Sequence, residues 1–230
     1  MKFNSYTLTA RIFPAILSAI PFFALHFYYL RPILGEFWNE LLGFQVVTDV
    51  TLSLVFLFLL LQLNRLVAKE LFEKRFFQDG LYLPTTDFLI HLDSYFSPEY
   101  TRRIHAKITN DFGITIPSLR EESENPNRSR SIIKEVMGLI RNKIAEGRLV
   151  SQHNAEYGFF RNLVGGAFVA LVMSIANIII FWSFEIDGTA IWVSAVSSFI
   201  YLIIVLFGKK IITFAGRGYA KILIEEYMSQ

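Results

Sequence analysis

Three groups of residues in this chain of 230 carry enough polarity to do chemistry. The densest lies in the stretch QHNAEYGFFRNLVGG, where His153, Asn154, Glu156, Tyr157, Arg161 and Asn162 crowd together just ahead of a long apolar run. His153 and Glu156, three apart on a helix, could supply two ligands to a metal ion, yet no third is evident. The same side chains suit a membrane junction. Ser151 or Asn154 would cap a helix entering the bilayer, Tyr157 would sit among headgroups and Arg161 would reach lipid phosphate. Gly158, Gly165 and Gly166 would then soften the helix into a hinge. The junction asks for no missing ligand and is the expectation; no catalytic residue and no metal site are assigned.

The second group is basic. Arg102, Arg103 and Lys107, with Arg128, Arg130 and Lys134 beyond an acidic loop, could receive phosphate, because guanidinium groups make bidentate contacts with it. A nucleotide or a cytoplasmic protein is the partner expected there; a net charge of only +2 disfavours nucleic acid. The third group is intramembrane: His26, Asp49 and Asn177 stand inside apolar segments, where polar groups pair or line a watery path. His26 and Asp49 fall at a similar depth, so a contact between them could gate or conduct ions.

Arg148 and His153 also show the R-x4-H spacing, similar to that of HEPN-type ribonucleases. Thirteen arginines and four histidines produce such a spacing readily by chance. There is no Walker A loop, G-x-G-x-x-G, H-E-x-x-H or G-x-S-x-G, and no cofactor is expected. The chain has no cysteine, which removes disulfides, thiol nucleophiles and cysteine-held metals.

The elements that must position these groups are set by hydropathy. Hydrophobic residues make up 53% and charged ones 18%, where soluble domains carry about a quarter charged. The shortfall calls for an apolar solvent besides a core. Four segments, 12–30, 44–63, 163–184 and 188–208, approach the ~20 residues that cross ~30 Å of hydrocarbon as a helix. Of 22 Lys and Arg, 15 lie in 65–162 and four lie from Lys209 onward, while the turn at 185–187 has none. The positive-inside rule then puts both termini and the middle segment in the cytoplasm, and Trp38, Trp182 and Trp192 at the outer interface.

Helix two is expected to continue to Gly80. Thr85 or Thr86 should cap a next helix, Ser97 and Pro98 should open another that Gly113 ends, 113–129 reads as a surface loop with a short extended piece at Ile114–Ile116, and Ile132, Ile133, Val136, Ile140 and Ile144 lie on one face of a last helix. The tail after Lys209 would lie on the membrane or dock on the insert. Small residues four apart, Gly166, Ala170 and Ser174, then Ala190, Ser194 and Ser198, suggest a tight hairpin of helices three and four, with Asn177 and Tyr201 bonding across it.

The expected fold is therefore all-α: a polytopic membrane protein with an N-terminal transmembrane hairpin (1–64), a helical cytoplasmic insert (65–151), a junction with a C-terminal transmembrane hairpin (152–208) and an amphipathic tail (209–230). In layout alone this resembles small multi-span effectors of bacterial phage defence. The expected function is a non-enzymatic, homo-oligomeric sensor or effector of the inner membrane, with a membrane enzyme acting on lipid or polyprenyl phosphate as the alternative.

Overall fold

The computed structural model describes residues 5–31, 33, 45–91, 95–144 and 147–230, with side chains in the second helix from residue 53 onward. Trp38 lies outside the described residues, as does the side chain of Asp49. All regular elements among the described residues are helical. In chain order they are α1 (Ser5–Leu30), α2 (Gln45–Leu66), α3 (Pro84–Asp87), α4 (Pro98–Phe112), α5 (Leu119–Glu124), α6 (Pro126–Lys143), α7 (Arg148–Ser183), α8 (Gly188–Leu206) and α9 (Gly208–Ser229). Three of them, α1, α7 and α8, are long and apolar enough to cross a membrane. The chain forms two compact units, Met1–Phe72 with Gly158–Gly208, and Glu73–Tyr157 with Lys209–Gln230.

The first unit is built on small residues. Ala10, Ala15, Ser18 and Ala19 of α1 are buried, so neighbouring backbones come close. Helix α1 begins at Ser5, ahead of the apolar run, and contains Pro14 and Pro21. It does not end at either. Near Pro14 it widens into a π-helical stretch, Leu8–Ile12, where the Phe13 N–H bonds to Leu8 five residues back. A second such stretch, His26–Leu30, follows Pro21, and a third, Val67–Glu73, continues α2 into Lys74–Phe77. Wide turns of this kind relieve a ladder whose ordinary donors are missing or crowded.

Helix α7 runs unbroken for 36 residues, about 54 Å at 1.5 Å each. Its start corrects the junction expectation. The helix opens at Arg148, so Ser151 and Asn154 are interior residues and not caps. Nor do the glycines interrupt it. They are places of close approach: a Cβ on Gly158 would come 2.9 Å from the Ala10 Cβ, and one on Gly165 would come 2.5 Å from the Asn64 carbonyl oxygen and 2.6 Å from the Ala68 nitrogen. Glycine is there because nothing larger fits. Helix α8 is capped by Asp187, whose carboxylate accepts the Thr189 N–H at 3.1 Å.

The second unit packs α4, α6 and α9 around one core in which Ile104, Ile108, Ile133, Ile140, Leu223 and Ile224 are fully buried. Each such side chain contributes about 1.5–3 kcal/mol by leaving water. Helix α4 starts and stops as its residues dictate: Ser97 Oγ accepts the Tyr100 N–H at 3.3 Å, Pro98 fills the first position, and Gly113 at φ +67° ends it. The tail, as α9, buries Tyr219, Leu223 and Tyr227 in this core.

Three local expectations are overturned in this unit. The stretch after Ile116 is not all loop, since α5 stands on a reciprocal cap between Ser118 and Glu121. Thr85 and Thr86 are buried inside α3, whose cap position is Leu83. The helix before them stops at Phe77, not Gly80, because Gln78 and Asp79 already adopt positive φ, 46° and 55°.

Candidate functional site

A proline withholds the N–H that would bond to the carbonyl four residues earlier. Pro14 therefore frees the carbonyl of Ala10, and Pro21 frees that of Leu17. In an interior without water, such an oxygen needs another donor. The first unit supplies one to each. Asn162 Nδ2 of α7 donates to the Ala10 oxygen at 2.6 Å, and the Tyr201 hydroxyl of α8 donates to the Leu17 oxygen at 2.6 Å. Asn177 Nδ2 donates to the Pro21 carbonyl at 2.7 Å. On α2, Asn64 Nδ2 donates at 2.7 Å to Ser18 Oγ, which itself donates to the Ala15 carbonyl.

These four donors and their acceptors make a buried polar seam along α1. Asn64, Asn162 and Asn177 are each no more than 2% exposed. Gly166 keeps the seam tight, for a Cβ there would sit 2.7 Å from Asn64 Nδ2 and 3.1 Å from Ser18 Cβ. Each bond contributes about 1 kcal/mol net, and losing the donor to Ala10 or Leu17 would strand a carbonyl at about 1–3 kcal/mol.

The seam re-partners residues that the sequence had assigned elsewhere. Asn177 and Tyr201 do not bond across the hairpin of small residues; they serve α1. His26 opens the second π-helical stretch and is exposed on the bundle surface. The expected contact between His26 and Asp49 involves a side chain outside the described residues. Asn162, part of the polar cluster ahead of the apolar run, bonds to α1, and Asn64 was not singled out in the sequence. Two prolines in an apolar helix announce two carbonyls in want of donors, which Asn162 and Tyr201 meet.

At the junction itself, His153 Nδ1 lies 3.1 Å from Glu156 Oε2 on a part-exposed face of α7. Tyr157 stacks against Tyr219 with ring centres 6.1 Å apart, and the half-buried Arg161 follows one turn later.

The six basic residues that the sequence offers for phosphate all lie in the second unit and are held in several ways. Arg130 donates to Asp87 at 2.6 Å and to the Leu81 carbonyl at 3.2 Å, and lies 4.0 Å over the ring of Tyr82. Lys134 donates to the Asp79 carbonyl at 2.8 Å. Together they hold the left-handed turn at residues 78–80. Arg102 is paired loosely with Glu99 at 3.7 Å, Lys107 sits 5.3 Å from the ring centre of Tyr227, and Arg103 and Arg128 are exposed.

Two further clusters were not foreseen. Asp111 Oδ2 accepts from Lys143 at 2.8 Å and from the Tyr227 hydroxyl at 2.7 Å. The hydrogen bonds from Lys143 and Tyr227 hold its carboxyl below the usual carboxylate range. Burial, reinforced by the bond to Asp111, pushes the Tyr227 hydroxyl up. Glu122, only 3% exposed, accepts the backbone N–H of His91 on both carboxylate oxygens at 3.0 and 3.2 Å. The rings of His91 and His105 meet edge to face at 4.7 Å, and His105 Nε2 lies 3.1 Å from the Leu89 carbonyl. Burial first, and the charge of His91 second, lower the pKa of His105. Among the described residues no group of three or more His, Asp or Glu is arranged to hold a metal ion.

Fold and seam define a class: an all-helical protein with candidate membrane-spanning helices whose interior polar groups bond to backbone. No protein-family model, curated protein or solved structure matches the chain.

Proposed function

We propose that this protein is a four-span sensor or effector of the bacterial inner membrane, with α2 as the fourth span and with both termini and the second unit in the cytoplasm. Its work is non-enzymatic: the cytoplasmic unit takes up a signal, a nucleotide or a partner protein, and homo-oligomeric bundles answer by perturbing the bilayer, in the manner of phage-defence effectors. The distribution of Lys and Arg supports the orientation. Trp182 and Trp192, which flank one short turn and are about three-quarters exposed, suit an outer interface.

The observation that carries the reading is α7. One uninterrupted helix belongs to the second unit through Tyr157 and to the first from Gly158 onward. A signal that moves its first three turns has a covalent, hydrogen-bonded route to the seam. The alternative is an enzyme acting on lipid or polyprenyl phosphate with interfacial carboxylates and arginines.

The test is induction of the full chain in bacteria carrying a voltage-sensitive dye. Depolarisation is expected, and Glu156→Pro, which breaks α7 in its third turn at a half-exposed position, should abolish it while the protein still reaches the membrane. Unchanged membrane potential on induction of the wild-type chain, with or without phage challenge, overturns the effector reading.

A further inference from the structure

Helix α9 has two faces. One packs into the second unit: Tyr219 stacks on Tyr157, the Tyr227 hydroxyl donates to Asp111, and a Cβ on Gly216 would come 2.8 Å from Pro84 Cγ. Those contacts fix how the helix is turned. The other face carries Lys210, Phe214, Arg217 and Lys221, all exposed. Their intervals of four, three and four align them along about 16 Å of helix.

An exposed phenylalanine by itself means little. Phe214 differs in degree and in setting. At 78% it is the most exposed large apolar side chain among the described residues. Its neighbours on that face are cations, and the stretch from Gly208 to Lys221 holds four Lys or Arg and no Asp or Glu. The first carboxylate along the face, Glu225, comes a turn later, 3.8 Å from Lys221. Free phosphate or an acidic peptide would answer the charges and leave the ring in water. A layer that is anionic outside and apolar beneath answers both.

The chain also brings such a layer near. Helix α9 opens at Gly208, just past the last residue of α8, Leu206, and Phe214 follows about 9 Å along it. Where α8 leaves hydrocarbon, headgroups are within reach of this face.

We infer that the outer face of α9 is a docking surface for anionic phospholipid, with Arg217 and Lys221 on headgroup phosphates and Phe214 seated at the acyl boundary. The inference rests on the reading that the first unit spans a bilayer. It makes the helix that closes the second unit's core a reader of leaflet charge.

The chain has no cysteine, so a single introduced thiol carries a nitroxide label without background. The full chain with labelled Phe214→Cys is reconstituted in nanodiscs of phosphatidylcholine alone, or with about a third phosphatidylglycerol. The readout is the ratio of relaxation by oxygen, which concentrates in lipid, to relaxation by a water-soluble nickel chelate. Val172→Cys, on an exposed apolar face of α7, and Ser123→Cys, exposed on α5, are the references. In anionic discs the Phe214→Cys ratio should approach that of Val172→Cys, and it should fall about threefold or more in phosphatidylcholine alone. Adding Arg217→Gln and Lys221→Gln should cause the same fall in anionic discs. A Phe214→Cys ratio equal to that of Ser123→Cys in both discs, with Val172→Cys in lipid, overturns the surface and leaves the spanning reading intact. Equal lipid contact in both discs, or contact unmoved by the two glutamines, overturns the recognition of anionic headgroups. A Val172→Cys ratio like that of Ser123→Cys overturns the spanning reading and the docking surface with it.

Discussion

In the first unit the buried bridges are made by neutral groups, and three of the four end on backbone: Asn162 on Ala10, Asn177 on Pro21 and Tyr201 on Leu17, while Asn64 ends on the Ser18 hydroxyl. In the second unit charged groups make the bridges, and they end both on side chains, Arg130 on Asp87 and Lys143 on Asp111, and on backbone, Lys134 on Asp79 and Glu122 on His91. On the proposed reading, in which the first unit spans a bilayer, the contrast follows from solvent. A charge inside hydrocarbon costs several kcal/mol even when paired, whereas an amide costs little once its N–H is bonded. Where water still reaches, as at Asp87, whose side chain is 28% exposed, an ion pair keeps part of its hydration and becomes usable. The lesson is that the first unit keeps its buried polarity neutral and turns most of it to backbone, while the second uses charge to fasten turns.

The comparison breaks most visibly at Gly165. Gly165→Val would drive a side chain into the Asn64 carbonyl and the Ala68 nitrogen, atoms that cannot swing aside. A loss of about 3 kcal/mol or more is expected, visible as a collapse of the monodisperse peak and of thermal stability in detergent. Next comes Arg130→Ala, which strips the half-buried Asp87 of its guanidinium contact and frees the turn at 78–80. A loss of about 2–3 kcal/mol is expected in denaturant titration of the full chain.

A paired experiment sharpens the account of the seam. Asn162→Leu should cost about 1–3 kcal/mol in the native sequence. In a Pro14→Ala background the backbone N–H restored at that position can bond to the Ala10 carbonyl, and the cost should fall by about 1 kcal/mol in a double-mutant cycle. Equal costs in the two backgrounds would show that Asn162 matters for packing alone.

The second unit should also respond to acid in a way the seam does not. Asp111 has a folded-state pKa below its unfolded value, so its contribution is present above the ordinary carboxylate range and is lost as pH falls through the depressed value. His105 is likewise depressed. The unfolded chain takes up its proton first, and stability declines as pH drops below about 6.5. Both slopes have the same sign. Replacing Asp111 by Asn should flatten the lower part of a pH–stability curve, and replacing His105 by Gln the upper part. Smallest of all, Glu124→Gln at the exposed pair with Arg120 should change stability by no more than about 0.5 kcal/mol.

Much of the second unit's punctuation could be read in advance. Ser97, Pro98 and Gly113 act locally, and their rules depend on neighbours within a turn. The reciprocal cap of α5 was equally local, with Ser118 and Glu121 at the right spacing, and was hidden by an acidic run that looked like solvent-facing loop. Partners distant in sequence were harder. Nothing near Asn177 says that its donor is owed to Pro21, 156 positions away. The junction misled for a related reason: Ser151 and Asn154 are good caps by type, but capping matters only where a helix begins, and α7 had begun at Arg148. Glycines at 158, 165 and 166 suggest looseness in isolation; against Ala10, Asn64 and Ala68 they mark the tightest contacts in the unit.

The pairing of Pro14 with Asn162 also has a bearing on descent. The proline creates a want and the asparagine answers it, so neither position can drift alone without stranding an oxygen or an amide in grease. Sequences descended from a common ancestor should exchange the two together, and a relative with alanine in place of that proline would be free to carry a plain hydrocarbon in place of the asparagine.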